Sequence, residues 1–311
     1  MEYDIIHEVG ESKDWNESFY FNFYDRGNDL CGFMRIGLKP NKKEKSVFCY
    51  IMMPDGTMVG TKEMVEMTGS ELQAKGLVFE KIEADKKWAL RFDGELKQTV
   101  KEETTPVKVG FNLEFETLHE PFDYRKCVSG EKEALAKAVA SEHIEQVGRI
   151  TGTLTVGDRE FNIKALGERD HSWGERDWTA PRFWLWVTCQ VNETYAFNIT
   201  KLEMDKGDVD AGFLFKDGQT LPIVKVDIAR EFNADGSPQE LFMAFYVPDP
   251  DEEGKLVVYG VKGVTKRKAM LKFDGEDKRH QAIMFETLTK FKVYEGDEAE
   301  VGMGIAEYLY R

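Results

Sequence analysis

The chain has 311 residues and a formal net charge of −15 at pH 7, and 41% of its residues are hydrophobic and 12% aromatic. This apolar content is enough for a packed core, which excludes an intrinsically disordered protein. The acidic balance argues against nucleic acid and anionic membrane surfaces as partners, because both require a basic protein surface.

Features that the sequence lacks indicate where the protein is located. Residues 1–4 contain two acidic side chains and no basic one, unlike the start of a signal peptide, and no apolar run approaches the roughly 20 residues of a membrane span. The four cysteines include no pair at CxxC spacing, which favours buried thiols over a zinc site ligated by sulfur. We therefore expect a soluble cytoplasmic protein without membrane insertion.

The first half of the chain predicts mainly β-structure. Residues 18–24, 31–38 and 46–52 are rich in side chains that favour strands, and turn sequences separate them. Residues 107–117 alternate between apolar and polar side chains, which predicts a long half-buried strand. Residues 130–141 are rich in alanine and predict one short helix.

Strands are predicted to the end of the chain. Residues 150–156 and 160–166 form a predicted hairpin, and residues 183–187 and 194–199 are predicted strands. No regular alternation of strands and helices occurs, which excludes a Rossmann or TIM-barrel fold. The sequence therefore predicts an all-β sandwich or barrel with one short helix.

Residues 167–178, GERDHSWGERDW, combine many charged side chains with a histidine, two tryptophans and two glycines. This mixture is unusual on a surface and also in a core, so we expect the segment to form the wall of a cleft at a domain junction. In an extended conformation, His171 and Trp173 face one way, while Asp170 and Ser172 face the other.

The candidate catalytic residues are two histidines that each have a carboxylate nearby. Asp170 is adjacent to His171, and His143 and Glu145 would share one face of an extended segment, with Gln146 on the other face. A carboxyl group in an apolar cleft has a raised pKa and can donate a proton, which a neighbouring histidine can hold or transfer.

A purely structural role is the simplest alternative for this segment. Arg169 and Arg176 could pair with neighbouring carboxylates and hold a turn. Those carboxylates are Asp170, Glu175 and Asp177. Ser172 is disfavoured as the nucleophile of a triad, because three adjacent residues of one strand cannot converge on one point.

Metal binding is a second alternative. The spacing of His143 and Glu145 is one that metal sites in β-barrels use, and His171 would be the third ligand. Two residues are too few to ligate a metal ion, however, and the spacing of the histidines in the sequence does not indicate a complete set of ligands. We therefore expect neither a metal nor another cofactor.

Several segments resemble a known family. They are residues 17–24, 32–37, 143–146, 169–178 and 304–308. Together they look like a bacterial family of largely uncharacterised proteins, and this resemblance covers nearly the whole chain. More remotely, the Asp-His-x-Trp-Gly segment and the later Trp-x-Trp strand are similar to the AttH-like, carotenoid 1,2-hydratase and tocopherol cyclase-like group.

The resemblance implies a fold and a reaction. The fold would be two tandem lipocalin-like β-domains, residues 1–178 and 179–311, with an apolar cavity near the domain junction. The reaction would be hydration of an isoprenoid-type alkene, its reverse, or a cyclisation, without a cofactor. In carotenoid hydratases the histidine and tryptophan of the motif are implicated in activity, and they correspond to His171 and Trp173.

The resemblance does not identify the acid. The hydratases also use a Tyr-x-Asp on a following strand, whereas residues 197–200 contain no aspartate. Asp170, Glu145 or Glu307 would have to donate the proton. The alkene would become a carbocation, which nearby aromatic faces would stabilise. The expected substrate-binding residues are Trp173, Trp178, Tyr20, Tyr24, Gln146, Trp186 and Glu307.

The sequence thus supports two functions of different kinds. The first is a cofactor-independent acid–base hydratase, dehydratase or cyclase that acts on an apolar isoprenoid or terpenoid-like alkene or alcohol. Its catalytic residues would be Asp170, His171, Glu145 and His143. The second is a non-catalytic lipocalin-like protein that binds a lipid or terpenoid. The partner in both is a hydrophobic small molecule, and formation of a homodimer stays open.

Overall fold

The computed structural model describes residues 3–100, 103–127, 142–176, 181–274 and 281–310. Nearly all of these residues lie in antiparallel strands of two curled sheets, which confirms the predicted all-β fold with two lipocalin-like domains. No helix within the described ranges is long and apolar enough to cross a membrane. The predicted helix at residues 130–141 lies outside them.

The chain divides into two units according to its internal contacts. Unit 1 comprises Met1–Pro121 and Glu142–Arg176, and unit 2 comprises Phe122–Ser141 and Asp177–Arg311. The second boundary therefore falls inside the charged and aromatic segment 167–178, which begins in unit 1.

The strands follow one another with short connections. Up to residue 175 they are β1 (Trp15–Asp25), β2 (Leu30–Lys39), β3 (Glu44–Met52), β4 (Met58–Glu66), β5 (Gln73–Ala74), β6 (Leu77–Glu83), β7 (Lys87–Val100), β8 (Glu103–Thr117), β9 (Phe122–Asp123), β10 (Glu142–Val156) and β11 (Arg159–Glu175). The later strands are β12 (Phe183–Asn192), β13 (Tyr195–Met204), β14 (Gly207–Lys216), β15 (Gln219–Pro222), β16 (Lys225–Phe232), β17 (Pro238–Pro248), β18 (Leu256–Asp274), β19 (Gln281–Glu295) and β20 (Glu298–Tyr310). Two short 3-10 helices are Pro40–Lys42 and Tyr124–Lys126.

The sheet of unit 1 has the strand order β4-β3-β2-β1-β11-β10-β8-β7-β6-β5, and β4 also pairs with β7, so the sheet curls back on itself. Side chains alternate between the two faces of each strand. Every second residue of β1, namely Phe19, Phe21 and Phe23, lies in the apolar core. The residues between them are also mostly buried, so β1 is covered on both faces.

The strand β11 lies between β1 and β10. It extends to Glu175, so residues 167–175 form a strand, and the prediction that Arg169 holds a turn is wrong. Gly167 is required where β11 approaches β1, because a Cβ there would lie 1.9 Å from the carbonyl oxygen of Asn22. Residues 177 and 178 lie outside the described ranges.

Unit 2 repeats the architecture with a different sequence. Its nine-stranded sheet has the order β15-β14-β13-β12-β20-β19-β18-β17-β16. Alternating residues of β12, among them Phe183, Leu185 and Val187, lie in an apolar core of its own. The predicted strands at residues 183–187 and 194–199 fall in β12 and β13.

Candidate active site

β11 has two chemically different faces. His171 is in register with Phe19 of β1 and stacks on its ring with 3.9 Å between ring centroids, so His171 and Trp173 lie on the face of the apolar core. We call this side of the sheet the core face. Asp170 and Ser172 lie on the opposite side, which we call the polar face. The predicted alternation along this segment is confirmed.

The polar face brings together three of the predicted catalytic residues. Glu145 of β10 is in register with Asp170 of β11, and His143 precedes Glu145 by one strand period. His143 Nε2 lies 2.9 Å from Glu145 Oε1 and 3.1 Å from Asp170 Oδ2. One imidazole nitrogen therefore lies within ion-pair distance of two carboxylates.

The charges around Asp170 favour its carboxylate form. Burial raises the pKa of Asp170, but the charge and hydrogen bond of His143 and the positive charges of Arg176 and Arg35 lower it further, so the net pKa is below the ordinary value. The Asp170 side chain is 14% exposed, whereas that of Glu145 is fully buried. Asp170 is thus ionised, and its side chain is more exposed than those of His143 and Glu145.

Aromatic side chains also lie on the polar face. Tyr20 of β1 is in register with Asp170, and its ring meets that of Phe48 edge to face at 6.2 Å between centroids. Phe33 and Tyr50 stack at 5.3 Å beyond them. Phe33 and Phe48 are buried although they lie opposite the apolar core. The polar face therefore combines acid–base groups with apolar surface.

The core face carries a second histidine–carboxylate group. His171 Nε2 lies 3.0 Å from Glu17 Oε1, and His7 Nδ1 lies 2.7 Å from the same oxygen. The His7 ring stacks on Trp173 with 3.8 Å between centroids and an interplanar angle of 6°. The centroid of the His171 ring lies 3.9 Å from that of Phe19, 4.9 Å from that of Trp173 and 5.5 Å from that of His7.

The protonation of the core-face group follows from its burial. Burial lowers the pKa of His171, although hydrogen bonding to Glu17 and its charge act in the opposite direction. Burial raises the pKa of Glu17, but its hydrogen bonds with His171 and His7 lower it more, so the carboxyl is ionised. A neutral His171 then donates its Nε2 proton to Glu17. Its Nδ1 is buried without a hydrogen-bond partner among the described residues.

Arg169 belongs to the core face and forms a buried ion pair. It donates from Nη1 to Asp4 Oδ1 at 2.7 Å and from Nε to Gln146 Oε1 at 2.8 Å. Asp4 also accepts hydrogen bonds from the Trp88 indole and the Asp85 backbone amide. The predicted pairing of Arg169 with carboxylates of its own segment is wrong, because its guanidinium binds a residue 165 positions away.

Arg176 contacts hydroxyl groups on the polar face, and its predicted pairing with carboxylates of its own segment stays a prediction. It donates a hydrogen bond from Nη1 to Ser172 Oγ at 2.8 Å, and Ser172 Oγ lies 3.0 Å from Ser18 Oγ. Its charge also lowers the pKa of Asp170, as described above. Ser172 is therefore part of a hydroxyl pair that holds a guanidinium.

The predicted substrate-binding residues are distributed over several places. Gln146 lies on the core face, where its amide donates to the carbonyl oxygens of Asp85 and His119. Tyr20 lies beside Asp170, whereas the Tyr24 hydroxyl donates to Asp29 in a turn. The remaining predicted residues are Trp173 on the core face, Trp186 and Glu307 in register with each other in unit 2, and Trp178 outside the described ranges.

Among the residues that the structure describes, two groups of side chains can bring three metal-ligand atoms within 4.8 Å of one another. One is His7, Glu17 and His171, and the other is His143, Glu145 and Asp170. The predicted alternative of His143, Glu145 and His171 is wrong, because His171 lies on the other face of the sheet. The absence of a cofactor stays a prediction.

Sequence reasoning missed Glu17 and His7. Glu17 opens the aromatic segment of β1, but its contact with His171 spans 154 residues and depends on the pairing of β1 with β11. His7 lies in an irregular segment without a motif. The one available signal was that His7 is among only five histidines in the chain.

Solved structures share this fold at low sequence identity. CghA bound to Sch210972 is similar with a TM-score of 0.63 and 11% identity, over 99% of this chain and 94% of that chain. Kievitone hydratase from Nectria haematococca has a TM-score of 0.63 and 12% identity, over 99% and 94%. A candidate AttH from Nitrosomonas europaea has a TM-score of 0.58 and 10% identity, over 97% and 94%. At these identities the likeness establishes the fold.

Two further comparisons concern the sequence. No curated protein matches the chain. A family model described as a domain of unknown function, DUF7064, matches residues 1–310 and so covers nearly the entire chain.

Proposed function

The chain belongs to the DUF7064 family, and we propose that it is a cofactor-independent acid–base enzyme, a hydratase, dehydratase or cyclase for an apolar isoprenoid-like alkene or alcohol. The observation that carries this proposal is the His143 imidazole nitrogen within about 3 Å of both Glu145 and Asp170. In this proposal the reacting groups are those of His143 and Asp170 on the polar face.

The residues on the polar face have complementary roles in a dehydration. Asp170, ionised because of the positive charges nearby, accepts the proton from the carbon next to the departing hydroxyl. Protonated His143 donates a proton to that hydroxyl, which leaves as water while the C=C bond forms. Hydration is the reverse. One proton is accepted and one is donated, and exchange with solvent at the partly exposed Asp170 restores the starting state.

The buried Glu145 has a supporting role in this proposal. Its carboxylate lies 2.9 Å from His143 Nε2, so it orients the imidazole and stabilises its protonated form during the reaction. Because Glu145 is fully buried, it exchanges protons with solvent less readily than Asp170 does.

One observation supports an apolar substrate, and another supports the type of reaction. Tyr20 and Phe48 place aromatic surface beside Asp170, where it can bind a hydrocarbon chain and stabilise a cation that develops on the substrate by about 0.5–2 kcal/mol per ring. In addition, the structurally similar proteins include one named kievitone hydratase. This likeness establishes the fold. Since the neighbour is named as a hydratase, this fold can carry hydratase chemistry, and we propose related chemistry for this chain.

The test is turnover on a panel of isoprenoid alkenes and the corresponding tertiary alcohols, followed by mass spectrometry of the products. We expect wild-type protein to interconvert one such pair and Asp170→Asn to lose about 10²–10⁴-fold in kcat. Asp158→Asn is the matched control, because Asp158 is an exposed carboxylate in the turn between β10 and β11.

The alternative function predicts a different outcome. A non-catalytic binding protein would retain a terpenoid in native mass spectrometry and release it chemically unchanged. Equal turnover by wild-type protein and Asp170→Asn on an active substrate would also contradict the proposal.

A further inference from the structure

Asn22 and Glu168 form a buried polar pair on the polar face of unit 1. Asn22 of β1 is in register with Glu168 of β11, and the two side chains are 2% and 0% exposed. The neighbours of Asn22 along β1, Phe21 and Phe23, lie in the apolar core, so the Asn22 side chain lies on the polar face. The side chain directly opposite on β11 lies on the same face. The proposed dehydration uses neither of these two residues.

The two strands approach each other closely beside this pair. A Cβ at Gly167 would lie 1.9 Å from the carbonyl oxygen of Asn22 and 2.8 Å from its carbonyl carbon, so only glycine lets β11 pack against β1 here. Side chains directly opposite each other on antiparallel strands have Cβ atoms about 4.5–5.5 Å apart. One small group of a ligand can therefore contact both Asn22 and Glu168.

The Asn22 amide has an unused hydrogen-bond donor. Its Nδ2 is buried and has no hydrogen-bond partner among the described residues. Buried amide donors are nearly always paired, because an unpaired one loses its hydrogen bonds to water without a replacement. This donor therefore indicates a position where a ligand supplies an acceptor.

Glu168 adds an acceptor beside this donor. A carboxyl group offers about four acceptor positions when it is ionised and keeps acceptor capacity when it is protonated, so Glu168 can accept from a ligand in addition to its contacts within the protein. A donor and an acceptor side by side are complementary to a hydroxyl group, which accepts one hydrogen bond and donates another. A carbonyl oxygen could use only the amide.

Apolar side chains flank the pair within its row of the sheet. Val147 of β10 is in register with Glu168, Phe33 of β2 is in register with Asn22, and both flanking side chains are fully buried. Phe33 stacks on Tyr50, and burial raises the pKa of Tyr50 to about 12. In such surroundings a hydrogen bond is stronger than in water, and an unpaired polar group costs more free energy. The site should therefore prefer a ligand that carries a hydroxyl here over one that lacks it.

We infer that Asn22 and Glu168 bind a second hydroxyl of the substrate, one that the reaction leaves in place, so that the substrate is an apolar isoprenoid-like diol or hydroxyalkene. Glu168 lies one strand period from Asp170, about 7 Å along β11, so this hydroxyl is several carbon–carbon bonds away from the reacting carbon. The inference rests on the proposed function for the reacting groups and adds the polar group that fixes the position of the hydrocarbon chain.

The test compares three probes with the same carbon skeleton and the same tertiary alcohol: 8-hydroxylinalool, 8-oxolinalool and linalool. The tertiary alcohol is at C3, and C8 is five bonds away, about 6 Å in an extended chain. Isothermal titration calorimetry should give a Kd for the diol about 10–100-fold below that for linalool. The aldehyde should lie between them, because it can accept from Asn22 but cannot donate to Glu168.

Two variants of Asn22 keep the test informative if one of them fails to fold. Asn22→Leu removes the amide, and Asn22→Asp preserves the shape of the side chain but replaces the Nδ2 donor with an oxygen. Each should weaken binding of the diol by about tenfold or more and leave the Kd of linalool unchanged. Asn112→Leu is the matched control, because Asn112 is exposed on β8.

Three results would overturn the inference. The first is an equal Kd for the diol and linalool in wild-type protein, and the second is a preference for the diol that survives both Asn22→Leu and Asn22→Asp. The third is an equal Kd for the diol and the aldehyde, because the site would then bind a carbonyl oxygen as well as a hydroxyl.

The inference and the proposed function fail in different ways. A preference for the diol that depends on Asn22, without turnover of any panel compound, would retain the hydroxyl site and remove the enzymatic function. Turnover that depends on Asp170, with equal affinity for the diol and linalool, would retain the enzyme and remove the hydroxyl site.

Discussion

The two faces of β11 use the same residue types for different purposes. On the core face, His171 is fully buried, stacked on Phe19 and hydrogen-bonded to Glu17. On the polar face, His143 lies between Glu145 and Asp170, which is 14% exposed. A histidine and a carboxylate alone therefore do not define a reactive site. Their surroundings decide whether they are reactive. On the core face these surroundings are packed aromatic rings, and on the polar face they are nearby charges and solvent.

This difference also separates two residues that are adjacent in sequence. Asp170 and His171 lie on opposite faces because side chains alternate along a strand. Each instead has a partner from another strand, Glu145 in register with Asp170 and Glu17 hydrogen-bonded to His171. The Asp-His pair of the motif is therefore not a catalytic dyad. Asp170 belongs to the proposed acid–base group, whereas His171 belongs to the separate core-face group with Glu17.

The sharpest test of this comparison substitutes one histidine at a time. We expect His143→Gln to lower kcat by about 10²–10⁴-fold, because it removes the proposed proton donor. His171→Gln should change kcat by about tenfold or less per folded molecule, since His171 lies on the other face. Turnover of the substrate found in the isoprenoid panel provides the measurement, with circular dichroism to determine the folded fraction. A larger loss of kcat in folded His171→Gln would indicate that the reacting groups lie on the core face and not on the polar face.

The next effect concerns the stability of the core face. Asp4→Ala leaves the guanidinium of Arg169 buried without its ion-pair partner, and Arg169 is only 1% exposed. We expect the free energy of unfolding to fall by about 3–5 kcal/mol. Urea denaturation followed by circular dichroism measures this change. Asp158→Ala, at an exposed position, should change it by about 0.5 kcal/mol or less. A loss below about 1 kcal/mol would mean that the ion pair does not hold the core face together.

The alternation of Asp170 and His171 could be predicted from sequence, because the period of a strand is fixed once a segment is known to be extended. The grouping of His143 with Glu145 follows from the same rule. The contact of His171 with Glu17 and the ion pair of Arg169 with Asp4 could not be predicted, because they span 154 and 165 residues. Such contacts depend on which strands are neighbours, and local patterns do not encode strand order.

Stability at mildly acidic pH should also distinguish the faces. The pKa of His171 is lowered from 6.5 by burial, so the unfolded state binds more protons than the folded state as the pH falls below 6.5. The free energy of unfolding should therefore fall on acidification, with a slope of up to about 1.4 kcal/mol per pH unit. The pKa of Asp170 is lowered from 3.8, so its contribution is lost only at lower pH.

The measurement is urea denaturation at several pH values between 5 and 7. His171→Gln should flatten the dependence of unfolding free energy on pH in this range, whereas Asp170→Asn should retain the wild-type slope. The same slope in wild-type protein and His171→Gln would show that His171 does not exchange a proton on unfolding, which would contradict a neutral imidazole on the core face.

The smallest expected effect is that of metal removal. It is tested because each face also has a group with three candidate ligand atoms. The acid–base proposal needs only protons, so dialysis against EDTA should leave kcat unchanged. Loss of activity that Zn²⁺ or Mn²⁺ restores would contradict this expectation. His143→Gln and His171→Gln would then identify the face, because only the variant that removes a ligand should lose metal binding in calorimetry. A metal held on the core face would leave the acid–base group intact, whereas a metal held by His143, Glu145 and Asp170 would replace the proton donor with a Lewis acid.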